Sequence, residues 1–582
     1  MSLPWMEKLG IKQLNEFQKL ALEALTESEQ NVILKAPTGS GKTELMILFM
    51  LSSNKKSIYV SPLRALAYQV YERIHSIFED VAYITGENYE DIPDEIHNKI
   101  VISTYEKIDS ALRHNYAWLN EYDNLIIDEI HNISQRPAIE ILGTFFKHRK
   151  KRIIGMSATL DTENLARWLN AKVVEYKKRA VPLYYYVFYK NKVFNTSPYK
   201  FDDPIDFAVK HEKPVLVFAR SRREAQILAY QLFDKYGSKV TVFHGGLSQE
   251  ARHRILKEIE NKSKLIVVST TALGQGVNLP IWMIYFKNME LPLTAGNKFV
   301  GWRPLEKNEF DQIAGRAGRP RFDREGIVVI EAESEQDMEH KIRYYINGVN
   351  EKLRSSLRLE DLVLVALTQA DMTKAELVNV VKETFGVKED RLDQVLENYI
   401  GSGLVNTDGK RYMLTDLGRT IAEAYLDGES AAYYLKNIKV IKDPLLLVAN
   451  SPAMQGIRVK NAYAVLKRWI SGEPTSKIKE DLDVDTMDFQ NLLATAAWQA
   501  FALYRISEIV GENNLLDFYL SVKFGCPKEA FTLLPLTGRE AAAELVKKGV
   551  KTKDELCADP NLALQYVSPD RFEKLCLSHK ML

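Results

Sequence analysis

Ala36-Pro37-Thr38-Gly39-Ser40-Gly41-Lys42-Thr43 is the stretch on which the fold turns. An apolar run, Val32-Ile33-Leu34, precedes it, and an apolar helical pattern over residues 44–51 follows. A strand, a glycine-rich turn and a helix in that order build a phosphate cradle, because the turn's N–H groups and the helix N-terminus point at the anion. Pro37, Thr38, Gly39, Ser40 and Gly41 are expected to form the cradle, Lys42 to reach the β- and γ-oxygens, and the Thr43 hydroxyl to hold Mg²⁺. Where the motif normally opens with glycine, this chain has Ala36. Asp128-Glu129 lies downstream, after a second buried-strand pattern, Leu125-Ile126-Ile127. Acids at a strand end sit where an open α/β sheet holds its ligand. Asp128 is expected to hold Mg²⁺ through water and Glu129 to orient and deprotonate an attacking water, so that the two segments make an ATP site. The plainer alternative is a solvated acidic pair.

The bulk numbers set limits. A chain of 582 residues suggests about four domains. Charged residues make up 27% of it, yet the formal net charge is +1, so nucleic-acid contact must come from local basic surface. Cys526, Cys557 and Cys576 show no metal-ligand spacing, and a disulfide framework is not expected. Neither a signal pattern nor a bilayer-length apolar run is found, which points to a soluble, cytoplasmic protein of a reducing compartment.

Apolar runs at 57–60, 100–103, 125–128, 152–157, 215–219, 239–243, 265–269 and 326–330 alternate with helical patterns. That rhythm predicts α/β architecture: two parallel-sheet domains, 1–180 and 181–345, with a linker near 177–182. Helical periodicity then takes over. Residues 346–427 read as a winged helix whose wing turns at Asp408-Gly409, 428–524 as a helical bundle, and 525–582 as short helices around Thr537-Gly538-Arg539.

Gln312-Ile313-Ala314-Gly315-Arg316-Ala317-Gly318-Arg319 carries two arginines three apart, able to share one helix face and reach a γ-phosphate. Solvated surface arginines are the alternative, but Gly315 and Gly318 would weaken such a helix by roughly 1 kcal/mol each without structural gain.

These residues together resemble superfamily-two helicases, and within them the Ski-like branch. Phe17-Gln18 resembles the adenine-reading motif, 36–43 motif I, 61–67 motif Ia, 103–107 the later strand-contact motif, Asp128-Glu129-Ile130-His131 motif II, Ser157-Ala158-Thr159 motif III, 217–219 motif IV, 270–280 motif V and 312–320 motif VI. The resemblance implies two RecA-like domains with ATP between them, Gln18 on the base, and Gln312, Arg316 and Arg319 at the phosphates. It also implies a single nucleic-acid strand across both domains, met by Arg64, Thr104, Thr159, Thr270 and Gly274 and stepped in the 3′-to-5′ direction. His131 would couple the ATP site to motif III.

Between motifs V and VI, runs at 281–287 and 298–302 suggest a β-hairpin. In Ski-like DNA helicases a hairpin here wedges the duplex open, which makes Met289, Leu291 and Leu293 candidate wedge residues; a buried sheet extension with a plain loop is the alternative. The last third resembles the ratchet domain and helix-hairpin-helix of the archaeal fork-repair helicases called Hjm, relatives of polymerase theta's helicase domain. Trp498 matches that family's base-stacking tryptophan, with a core position as the alternative; the family's second stacking residue, an arginine, is Asn491 here. Arg539 follows the turn expected to hold a phosphate, and Leu536 replaces that turn's first glycine. The resulting expectation is a monomeric, nucleoid-associated ATP- and Mg²⁺-dependent helicase on single-stranded and forked DNA. An RNA helicase of the same branch and a non-unwinding ATP-driven clamp stay open as alternatives.

Overall fold

A computed structural model describes residues 3–85, 92–158, 162–179, 181–243, 249–270, 281–295, 298–318, 323–348, 352–455, 457, 459–512, 514–572 and 576. Thr159, Gly274 and Arg319 lie outside them. The chain divides into two compact units, one formed by Met1–Leu293 with Phe299–Val395, the other by Thr294–Lys298 with Leu396–Leu582.

The first unit holds two seven-stranded sheets. Strands β1 (Asn31–Lys35), β2 (Ser57–Ser61), β3 (Val81–Ile84), β4 (Ile100–Thr104), β5 (Asn124–Ile127), β6 (Arg152–Ser157) and β7 (Ala171–Glu175) stand in the order β3-β4-β2-β5-β6-β1-β7. Their pairings are parallel, and Val32, Ile33 and Leu34 of β1 are fully buried, as continuous apolar strands covered on both faces must be. Because β1 and β5 lie on either side of β6, the turns after them open side by side at the strands' C-terminal ends.

The second sheet contains β8 (Leu183–Tyr189), β9 (Lys192–Asn195), β10 (Val215–Phe218), β11 (Val240–Phe243), β12 (Ile266–Ser269) and β13 (Met283–Phe286), and, after the hairpin strands β14 (Glu290–Ala295) and β15 (Lys298–Pro304), β16 (Gly326–Glu331). Its order is β11-β12-β10-β13-β16-β8-β9, while β14 and β15 pair with each other. The chain crosses between the sheets over a few residues: Tyr176 N donates to Lys35 O of β1 at 2.8 Å, and β8 begins at Leu183.

The hairpin corrects two expectations. Residues 281–287 were expected as its first arm, but β13 is an interior strand of the large sheet, and the first arm is β14. Met289 and Leu291, expected on an exposed tip, are 5% and 8% exposed within the second sheet's core, because the chain leaves β13 along that core before emerging. Leu293 is 43% exposed and Trp302 38%. The Arg220 guanidinium lies 4.4 Å over the Trp302 ring and reaches Glu290 at 2.7 Å, which ties both arms to the end of β10.

Beyond the second sheet the chain returns to the first. Arg354 N donates to Ser134 Oγ (3.0 Å) and Ser356 Oγ to Ile133 O (2.9 Å). Glu140 has no exposed surface; its carboxylate accepts from Ser355 Oγ (2.6 Å) and Gly386 N (2.9 Å), the pairing that a buried charge requires. Burial holds the Glu140 carboxyl above its usual range even so.

In the second unit, Val405–Thr407 and Arg411–Leu414 form an antiparallel hairpin. Its turn is the expected Asp-Gly: Gly409 has φ 86°, and Asp408 Oδ1 accepts from Lys410 N and Arg411 N. A 25-residue helix, Thr486–Val510, carries Trp498, which is half-buried and donates its indole N–H to Ala424 O at 2.7 Å.

Arg539 does not offer itself to a phosphate. Its guanidinium lies 4.3 Å over Trp469 and donates to Gly525 O (3.0 Å) and Glu473 O (2.7 Å), with its side chain 14% exposed. Those carbonyls close the ends of the helices Ala462–Ile470 and Leu516–Phe524, and a planar five-donor cation satisfies them together. The cysteine expectation is also corrected: Cys557 and Cys576 form a disulfide, because the short C-terminal helices bring their Cα atoms to 5.4 Å, while Cys526 is a buried thiol. No helix among the described residues is long and apolar enough to cross a membrane.

Removing the Arg539 side chain leaves several carbonyls without a donor. Arg539→Ala should lower stability in chemical denaturation by about 2 kcal/mol. An unchanged midpoint would show that these contacts carry no load.

Candidate active site

The turn after β1 adopts the conformation its glycines permit. Gly39 and Gly41 have φ of 81° and 86°, and Gly41 caps the helix Lys42–Ser52. Thr43 is exposed at the helix N-terminus, where a hydroxyl can meet a cation; Thr38 is exposed and Pro37 half-buried. Lys42 is 9% exposed, and its ammonium donates to Ala36 O (2.5 Å) and Pro37 O (3.0 Å). Burial lowers the Lys42 pKa, while Glu129 and Asp128 oppose that shift. The Ser40 hydroxyl is buried without a hydrogen-bond partner, an unmet polar atom inside the cradle.

Gln18 grips this turn from behind. Its Nε2 donates to Gly41 O (3.3 Å), Asn15 Nδ2 donates to Ser40 O (2.9 Å), and Asn15 and Gln18 cap one another at the start of the helix Glu16–Glu27. A Cβ on Gly41 would come within 2.5 Å of Gln18 Nε2, so the loop and the capping box fit only with glycine there.

Asp128 follows β5. Tyr59 OH donates to its Oδ2 (2.6 Å), Glu129 N to its Oδ1 (3.0 Å), and Tyr105 OH to its carbonyl (2.5 Å). Burial, and then the neighbouring Glu129 charge, push Asp128 up to about 6, and burial also raises Glu129, with Lys42 and Arg316 opposing. Glu129 has φ 48°, a left-handed conformation costly for a side chain of its kind, and its buried Oε2 lies 3.2 Å from His131 Nδ1.

His131 joins three motifs. Its Nδ1 lies 2.7 Å from Ser157 Oγ, and Gln312 Nε2 of the second sheet's domain donates to its Nε2. With Nε2 accepting, Nδ1 carries the proton and donates to Ser157. Burial holds the ring at about 4, neutral as that pattern requires. The half-buried Arg316 lies within electrostatic reach of Glu129, and a Cβ on Gly315 would stand 3.7 Å from Thr38 Oγ1. Lys42, Thr43, Asp128, Glu129, Gln312 and Arg316 therefore line one cleft between the two sheets.

The hard oxygen donors Thr43, Asp128 and the unmatched Ser40 fit a phosphate-bound Mg²⁺. Among the described residues no group of three or more His, Cys, Asp or Glu side chains could hold a metal, so such an ion would draw ligands from the nucleotide. Arg64 is exposed at the start of the helix Arg64–His75 after β2, Thr104 ends β4, and Thr270 follows β12, all at C-terminal strand ends. Tyr59, Tyr105, Asn15 and Arg179 were not singled out from sequence for this site. Asn15 carried a findable signal, the reciprocal cap with Gln18; the tyrosines carried none.

Residues 15–168 match the DEAD/DEAH box helicase family, and residues 199–321 match the helicase conserved C-terminal domain. A protein of Sulfolobus islandicus filamentous virus, provisionally named helicase 7, is 33% identical over 98% of this chain and 100% of its own length. The ATP-dependent DNA helicase Hel308 of Thermoplasma volcanium is 28% identical, over 94% of this chain and 93% of its own. Its namesake from Pyrococcus horikoshii is 27% identical, over 95% and 91%. With likeness running through both sheets and the helical remainder, the chain belongs to the DEAD/DEAH-box helicases of superfamily two, on the branch that includes Hel308.

Proposed function

We propose that this protein is an ATP-dependent DNA helicase that moves 3′ to 5′ along a single strand and opens forked or branched duplexes in the cytoplasm. The observation that carries the motor reading is the Gln312–His131–Ser157 chain, which joins the second domain to the acidic pair and to the end of β6 through one neutral imidazole. The choice of DNA is supported by the 27–28% identity to proteins named as DNA helicases.

In this reading Lys42 leaves the loop carbonyls for the β- and γ-oxygens, and Ser40 finds its partner there. Thr43 and, through water, Asp128 would hold Mg²⁺, which would supply charge neutralisation on the phosphates. Glu129 takes the proton of the attacking water, and Arg316 with Arg319 stabilises charge on the γ-phosphate. The bond from the γ-phosphorus to the β–γ bridging oxygen breaks with ADP as the leaving group, departure of the phosphate then weakens the cross-domain contacts, the cleft opens, and the strand held at Arg64, Thr104, Thr270 and Gly274 shifts. Trp498, on its long helix in a region read as a ratchet bundle, stacks on a base as it leaves; residues 346–427 act as a winged helix and the segment after 525 as a helix-hairpin-helix. The wedge is the β14–β15 hairpin, with Leu293 and Trp302 in place of Met289 and Leu291.

Glu129→Gln should lower DNA-stimulated ATP hydrolysis by ~10²-fold or more while the thermal midpoint stays near wild type; wild-type turnover would end the assignment of the base. Gln312→Ala should leave ATP affinity nearly unchanged and cut stimulated turnover on the order of tenfold, since it loosens geometry without touching the cradle. Leu293→Asp combined with Trp302→Ala should spare stimulated hydrolysis and reduce unwinding. Matched forked DNA and RNA, followed by fluorescence, test the whole: faster RNA opening, or no opening of either, defeats the proposal.

A further inference from the structure

We propose that Arg179, in the crossing between the two sheets, is a positioning residue that fixes the turn carrying Arg316. Arg179 Nη2 donates to Gly315 O (3.1 Å) and Ala317 O (3.2 Å), the carbonyls on either side of Arg316, and its Nε donates to Val181 O (3.2 Å). The helix Lys307–Ala314 ends there, with Gly315 as its cap, so these carbonyls fall where a helix leaves its acceptors unmatched. A cation is favoured at that end of a helix, and the guanidinium plane holds Nη2 on the two turn carbonyls while Nε holds Val181 O, a three-point grip from two nitrogens that a lysine's single nitrogen does not reproduce.

The far side of the turn is pinned independently. Gly318 N donates to Ile281 O (2.9 Å), and Gly326 N donates to Pro182 O (2.9 Å), just beyond Arg179. At Gly315 a Cβ would stand 3.7 Å from both Arg179 Nη1 and Thr38 Oγ1, so the linker arginine, the turn and the phosphate loop converge. Arg316, on this turn, lies within electrostatic reach of Glu129. Arg179 therefore works behind the arginine that meets the phosphate, and its basic neighbours Lys177 and Lys178 are instead exposed, in ion pairs with Glu175 and Glu16.

The inference rests on the reading of Arg316 as a γ-phosphate contact, and the test separates the two. Steady-state ATP hydrolysis with saturating single-stranded DNA is measured for Arg179→Ala, Arg179→Lys, Arg316→Lys, Arg316→Ala and the double variant Arg179→Ala/Arg316→Lys, each with a thermal melt. Arg179→Ala should lower kcat by ~10- to 10²-fold with KM for ATP within about threefold, and Arg179→Lys should fall between it and wild type. The double variant should be no slower than the worse single variant, because both changes spoil one placement. Losses that multiply, a KM effect without a kcat effect, or a wild-type Arg179→Ala would overturn the inference. If Arg179→Ala does not fold, Arg179→Lys alone and combined with Arg316→Lys gives the same comparison. Full activity in Arg316→Lys and Arg316→Ala would instead defeat the γ-phosphate reading, whatever Arg179 does.

Discussion

Four ionisable side chains converge where the two sheets meet: Lys42, Asp128, Glu129 and Arg316. Each is moved from its ordinary pKa chiefly by burial, and each is partly restored by an opposite charge among the others. Removing charge from water costs several kcal/mol per ion unless partners are well placed, so this cluster is only partly compensated by protein alone. A triphosphate carrying a divalent cation would answer that deficit from both sides, with anionic oxygens for the lysine and the arginine and a cation for the carboxylates. The same deficit would give a nucleotide leverage over the distance between the sheets, because Lys42, Asp128 and Glu129 belong to the first sheet's domain and Arg316 to the second's.

The surrounding architecture keeps that leverage from dissipating. His131 is held neutral and hydrogen-bonded on both nitrogens, so a shift of Gln312 is felt at Ser157 and hence at the end of β6. Behind the acidic pair, Ile133, Ser134 and Glu140 bind the segment 354–356 and the turn at Gly386. The 3-10 turn that begins after Glu129 is therefore braced on its outer side by chain that comes after the second sheet. A rearrangement at Glu129 has one stiff neighbour on each flank.

The sequence made the phosphate loop, the Asp128-Glu129 pair and the motif VI segment legible because each is a contiguous pattern whose chemistry is local. Eight strands were legible for a similar reason: buried parallel strands are unbroken apolar runs. β3, β7 and β9 were missed because they are edge strands, only partly buried, with no such run, and β8, though interior, because its tyrosine-rich run is itself only partly buried. Met289, Leu291 and Leu293 alternate as one face of a strand, and alternation cannot say where along the strand the core ends. Tyr59 reaches Asp128 from β2 and Tyr105 from the start of the helix Tyr105–Arg113, and Arg539 and Trp469 meet across 70 residues, so no spacing rule signals either contact. The Cys557–Cys576 pair depends in the same way on how short helices turn back.

The crossing between the sheets has a mechanical consequence. Tyr176 is the last residue whose backbone is tied to β1, and Arg179 is the first whose side chain is tied to the motif VI turn. Three residue steps fully stretched span about 11 Å. A leash that short lets the two sheets swivel but not drift apart, so the phosphate-loop strand and the turn that carries Arg316 remain near neighbours.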